Sequence, residues 1–213
     1  MIGLKRGAVV LVPHDPEWSR LFDEERRLIG SAFGDIVVAI EHVGSTAISG
    51  IPAKPIIDIN IGVASLEVAR EMKGTFTSIG YEYRPFVPGV TFDGLVDQEL
   101  YVKGPESLRT HYVHVAVHNS DFWNRTLLFR DYLRNHPDWA QKYGDLKVSL
   151  AEKYPNARTE YGDGKEPLIL QILEMARQTL GDSESDHVER ARSLFEGRRF
   201  SDSSDLIRED RER

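Results

Sequence analysis

The chain has no cysteine among its 213 residues. That excludes a disulfide scaffold and every thiolate metal site, and it matches the usage expected of a cytoplasmic protein. Long apolar runs are missing as well, since none approaches the roughly 20 residues that cross a bilayer. The opening Met1-Ile2-Gly3-Leu4-Lys5-Arg6 has no long apolar stretch behind its basic pair, so no secretory signal is expected. Nor is there an excess of positive charge. With 27 Lys and Arg against 34 Asp and Glu, the formal net charge is −7. A protein that binds duplex nucleic acid draws most of its affinity from neutralising phosphates, so a polynucleotide partner is disfavoured. A small anionic molecule held by a local basic patch is favoured. The remaining composition, 40% hydrophobic and 29% charged, is that of a globular domain and fits neither wholesale disorder nor a membrane protein.

Strand-like and helix-like stretches alternate, which predicts an α/β (α+β) fold. Residues 9–12 read as a short strand. Asp15 then serves as N-cap and Pro16 as the first residue of a helix, where its missing N–H costs nothing. Trp18, Leu21, Phe22, Leu28, Ile29 and Ala32 recur at helical spacing, and Gly34 closes that helix. Residues 36–43 form a largely apolar strand, expected at the centre of a sheet, and 55–63 a second one. A helix over 65–79 stops at Gly80, before a strand near Tyr81-Glu82-Tyr83. The stretch 85–94 is turn-rich. Residues 98–103 and 109–118 predict a hairpin. Three helices follow: one to about His136, broken by Pro137; one to about Tyr154, ended by Pro155; and one over 166–180. After Gly181 Ser, Asp, Glu and Arg dominate, so the domain is expected to span 1–180. Residues 181–213 are expected to be a disordered tail or at most a loose helix.

Chemistry-bearing residues concentrate in one place. Glu41-His42-Val43-Gly44-Ser45-Thr46-Ala47 leads through Ile51-Pro52-Ala53-Lys54-Pro55 into Ile56-Ile57-Asp58-Ile59-Asn60. A Gly-Ser pair directly after a strand lets the backbone approach a phosphate, while Ser45 offers a hydroxyl and an N–H. Side chains alternate across a strand, so Asp58 and Asn60 share one face and Ile57, Ile59 and Ile61 the other. An aspartate among isoleucines calls for a ligand, and Mg²⁺ held by a carboxylate plus triphosphate oxygens is a natural one. Blander readings stand beside these. Gly44-Ser45 also fits a plain turn, Asp58 an internal pairing with Lys54 or Arg84, and His42 a hydrogen bond to the loop. His111, His114 and His118 lie on one strand, but His114 and His118 are about 13 Å apart, too far for one ion. Only His114 is kept as a ligand candidate. Lys165 and Tyr161 stand at the start of the last helix, where a lysine opposes the helix dipole, a hint of a functional contact.

Gly-Ser, a spacer and then Asp-x-Asp/Glu on the next strand is the signature of the nucleotidyltransferase fold. The wider run, His42-Val43-Gly44-Ser45-Thr46-Ala47-Ile48 with Pro52-Ala53-Lys54-Pro55-Ile56-Ile57-Asp58-Ile59, resembles the GrpB family of that superfamily. So do His111-Tyr112-Val113-His114-Val115, Phe129-Arg130-Asp131-Tyr132-Leu133-Arg134, Tyr143 with Lys147, and Tyr161 with Lys165. The likeness runs from Val9 to Leu180. It implies a minimal nucleotidyltransferase fold, a mixed sheet flanked by helices with a C-terminal helical segment. It also implies transfer of a nucleoside monophosphate from a nucleoside triphosphate (NTP) to a small acceptor, with Mg²⁺ or Mn²⁺ as cofactor. Some actinobacterial relatives are fused to dephospho-coenzyme A kinase, which points toward nucleotide or coenzyme metabolism.

On this reading Gly44, Ser45 and Thr46 bind phosphate with help from His42 and Lys165. Asp58 binds the metal, His114 and Asn60 complete or replace the usual ligands, and Lys54 neutralises developing charge. One departure stands out: active members of the superfamily place a second carboxylate two residues after the first, and here that position is the neutral Asn60. The rival expectation is a non-catalytic nucleotide-binding module that has lost that carboxylate.

Overall fold

The computed structural model describes residues 2–85 and 98–181. The first helix, α1 (Glu17–Phe33), begins as expected, with Asp15 Oδ1 accepting the Glu17 N–H at 3.0 Å, and ends at Gly34 with φ 53°. Five strands follow, β1 (Ala39–Val43), β2 (Ile57–Val63), β3 (Tyr81–Arg84), β4 (Gln98–Lys103) and β5 (His111–Val117), with α2 (Leu66–Glu71) and α3 (Lys73–Ser78) between β2 and β3. They form a single mixed sheet in the order β1-β2-β5-β4-β3, parallel only between β2 and β5. After β5 come α4 (Asp121–Asn135), α5 (Pro137–Lys153), α6 (Arg158–Asp163) and α7 (Glu166–Gly181). The expected α/β class, a mixed sheet flanked by helices, is what the structure has.

Several local expectations are corrected. β1 is an edge strand rather than a central one. Its apolar look came partly from Ile36 and Val38, which precede it and are exposed. Residues 9–12 form no strand, because Val12 makes only an isolated bridge to Ala53 while Val9 packs beside Leu150 and Tyr161. The helix expected over 65–79 is two short ones meeting at Met72; Gly74, Thr75 and Thr77 are weak helix formers there, and the bend still buries Ala69, Met72 and Phe76. α6 was not anticipated. Most of the turn-rich stretch 85–94, and the tail 182–213, lie outside the described residues.

The two faces of the sheet are unlike. Ile57, Ile59 and Ile61 of β2 and Val113 and Val115 of β5 join Trp18, Ile29 and Phe33 of α1 and Phe76 of α3 in one apolar core. The opposite face presents Asp58, Asn60, Tyr112 and His114 toward the C-terminal helices, since positions paired in register point to the same side. A second core is centred on the loop rather than the sheet: Ile48 and Ile51 pack with Tyr132, Leu133, Tyr143 and Ile172 from α4, α5 and α7. Hence the loop is plugged from below by the C-terminal helices. Among the described residues, no helix is long and apolar enough to cross a membrane.

Candidate functional site

β1 ends at Val43, and Gly44 follows with φ 68°, a conformation that glycine adopts without steric cost. A Cβ at Gly44 would collide with Asp58 Oδ2 and come within 3.0 Å of the Asp58 Cβ and Cγ. The glycine therefore lets the chain turn directly against the Asp58 carboxylate. Ser45–Ala47 then forms a single 3₁₀ turn, closed by Ala47 N–H donating to the Gly44 carbonyl at 3.2 Å. Ser45 is half-buried, as is Asp58. The structure thus brings Gly44, Ser45 and Asp58 together.

His42 and Thr46 lie elsewhere. His42 is on the α1 side of β1, with its ring stacked on Phe22 at 4.8 Å and Nε2 3.0 Å from Thr46 Oγ1. Both residues are buried. Burial, followed by the nearby Arg134 and Arg130, pushes the His42 pKa down to about 3, so its ring is neutral at physiological pH. The pair braces the turn from behind. From the other side Arg130 clamps β1: Nη1 donates to Glu41 Oε2 at 2.6 Å and to the His42 carbonyl at 2.9 Å, while Asp131 accepts from Nε and Nη2. Arg134 Nε reaches the Ala47 carbonyl at 2.8 Å, and the buried Lys147 donates to the Pro52 carbonyl. These supporting cations carried only a family likeness in the sequence, because their partners are backbone atoms more than 80 residues away.

Asn60 is fully buried, at 0% exposure. Its Nδ2 donates to Thr126 Oγ1 of α4, whose own hydroxyl bonds back to the Phe122 and Trp123 carbonyls, and Asn60 Oδ1 has no partner among the described residues. His114 pairs with Asn60 in register and is buried, with Nδ1 2.6 Å from Gln98 Oε1. Asp58 pairs instead with Tyr112, so Asp58 and His114 are diagonal neighbours. Among the described residues, no three His, Asp or Glu side chains cluster closely enough to hold a metal by themselves.

Lys54 and Lys165 come together on one ring. Their ammonium groups lie 4.7 and 4.8 Å from the centroid of Tyr161, and both Tyr161 and Lys165 are buried. One turn earlier in α6, Arg158 lies over the Tyr112 ring at 5.6 Å, its Nη1 3.4 Å from the Tyr112 hydroxyl. Sequence reasoning missed Arg158 and Tyr112 as site residues. The assembled surface has a carboxylate at a glycine turn on one side and three cations from the loop and α6–α7 on the other. Such a surface can hold a phosphorylated ligand with or without a divalent ion.

Known proteins resemble most of this chain. A family model described as GrpB protein matches residues 8–175. The "Glutamate-rich protein GrpB" of Alkalihalophilus pseudofirmus is 41% identical over 177 residues, covering 81% of this chain and 98% of that one. A protein named "Dephospho-CoA kinase" from Mycobacterium tuberculosis is 29% identical over 194 residues, 81% of this chain but 47% of its own length. The crystal structure of the conserved protein GrpB from Enterococcus faecalis is similar at a TM-score of 0.69 and 34% identity, covering 78% of this chain and 96% of that one. With a family model spanning most of its length and a 41% identical relative covered almost end to end, the chain belongs to the GrpB family.

Proposed function

We propose that the chain binds a nucleoside triphosphate against the Gly44-Ser45 turn and transfers its nucleoside monophosphate to a small acceptor, in the manner of a nucleotidyltransferase. One observation carries the reading: the half-buried Asp58 carboxylate lies against Gly44, where a Cβ would collide with its Oδ2 and crowd its Cβ and Cγ. The turn and the acid are thereby fixed as one unit.

A divalent ion, Mg²⁺ or Mn²⁺, fits this donor set in one way. Mg²⁺ is commonly held by one or two carboxylates together with substrate phosphates while keeping several waters. Asp58 would supply the carboxylate and the nucleotide the remaining oxygens, because Asn60 is sealed under α4 and His114 is engaged by Gln98. When bound, such an ion neutralises charge on phosphate oxygens. The protein's own part is positioning. Ser45 orients the phosphate chain, while Lys54 and Lys165 offset negative charge near the reacting groups. Calorimetric titration with a non-hydrolysable NTP and Mg²⁺ or Mn²⁺ tests this. Binding that vanishes in Asp58→Ala supports the reading; binding unchanged in that variant, or absent from the intact protein, counts against it.

A second reading is favoured by Asn60. The place where superfamily members carry a second carboxylate holds a neutral amide with no solvent exposure, a poor start for two-metal chemistry. A non-catalytic nucleotide-binding module would bind nucleotide without metal and release no pyrophosphate with any acceptor.

A further inference from the structure

Arg158 is buried, at 7% exposure, with an aromatic ring for company but, among the described residues, no carboxylate within ion-pairing distance. Among the described residues its Nε is buried without a hydrogen-bond partner, and Nη1 makes the 3.4 Å bond to the Tyr112 hydroxyl. The other buried arginines differ. Arg130 holds Asp131 in a two-bond fork and Glu41 besides; Arg109 also has a buried Nη2 without a hydrogen bond, but that nitrogen lies 2.9 Å from the Glu82 carboxylate. A guanidinium is always charged and presents a planar fork of donors. Holding one out of water without an anion is costly, so such a group is expected where a ligand supplies the anion.

Its position says which anion. Tyr112, under the Arg158 guanidinium, is the register partner of Asp58 across β2 and β5. Arg158 therefore stands over the same face of the sheet as the Asp58 carboxylate, one strand away. One turn along α6, Tyr161 gathers the ammonium groups of Lys54 and Lys165. A ligand spanning this surface meets the turn and acid at one end and fixed positive charge at the other, which fits a polyphosphate better than a single small anion.

The geometry points to Arg158 as the anchor of the terminal phosphates of a polyphosphate ligand, with Lys54 and Lys165 lining the same subsite. The assignment deepens the nucleotide-site reading, and for the NTP it rests on that reading. It makes the pyrophosphate portion a recognition element in its own right, bound by residues of the loop and the C-terminal helices.

The test uses the full chain in EDTA with inorganic pyrophosphate as probe, read by calorimetry and by thermal shift, for the unaltered protein, Arg158→Met and Arg158→Lys. The unaltered protein is expected to bind and to be thermally stabilised by the probe. Arg158→Met should weaken binding by about tenfold to a hundredfold, the worth of a charged hydrogen-bonding partner. Without probe, Arg158→Met should melt at or above the unaltered protein's temperature, because it removes an uncompensated buried charge. Arg158→Lys should retain part of the affinity, having the charge without the fork. Three results would overturn the assignment: no difference in pyrophosphate affinity between the unaltered protein and Arg158→Met, citrate binding tighter than pyrophosphate, or a lower melting temperature of Arg158→Met with no change in probe affinity. The two readings fail separately. Asp58-dependent NTP binding that ignores Arg158 leaves the nucleotide site and removes this subsite. Arg158-dependent pyrophosphate binding without any Asp58 effect does the reverse.

Discussion

The two faces of strand β2 come from alternate residues of one heptapeptide, and they do different work. Ile57, Ile59 and Ile61 are sealed against α1 and the α3 phenylalanine, a dry contact with nothing to titrate on β2 itself. Asp58 and Asn60 face the C-terminal helices, one half-open to solvent and the other closed. The difference separates the face that holds the strand in the core from the face that carries the candidate site. The apolar face fixes the strand, so the polar face is free to carry groups that would be unfavourable in an ordinary core.

The contrast is broken most severely from the apolar side. Ile59→Ala should cost about 2–5 kcal/mol of unfolding free energy in urea titration, the usual range for emptying a sealed core position. A loss below that range would mean the core collapses into the space. On the polar side the corresponding change is milder. Thr126→Val removes the partner of Asn60 Nδ2 and should cost about 1–3 kcal/mol, the penalty for an orphaned buried donor. An unchanged urea midpoint would show that the Asn60–Thr126 bond contributes nothing.

A third effect is a slope in pH, and it belongs to the α1 side. Burial lowers His42 to about 3 and His111 to about 4 from the ordinary 6.5; for His111 the Glu25 carboxylate opposes that shift and Lys103 adds to it. The unfolded chain takes up protons near 6.5 while the folded one refuses them, so stability from these neutral rings is full above 6.5 and declines as pH falls toward 4. Each ring should contribute up to about 1.4 kcal/mol per pH unit in that window. Urea titrations at pH 7, 6 and 5 should show His42→Gln with the shallower decline. Equal slopes would place the acid sensitivity elsewhere.

Much of this was legible in the sequence because strand alternation is strictly local. The opposed Ile57-Asp58-Ile59-Asn60 pattern named both faces of β2, and Gly44-Ser45 marked the turn. What stayed hidden depended on distance along the chain. A buried arginine reads the same as a solvated one until its surroundings are known, so Arg158, 46 residues from Tyr112, gave no local signal. His42 looked like a site residue by proximity, yet strand alternation sends its ring to the other side of the sheet, against Phe22. Gly44 before a serine suggests room for a phosphate; what no local pattern reveals is that its missing Cβ also makes room for Asp58.

Ile48 and Ile51, at the underside of the loop, are 1% and 2% exposed, and the residues covering them come from α4, α5 and α7. The site is consequently indivisible along the chain. A fragment ending after β5 would keep Gly44, Ser45 and Asp58 yet leave two isoleucines facing water beneath them. Moving the candidate site onto another protein requires the helices through α7, and the family match ends within that last helix, at residue 175.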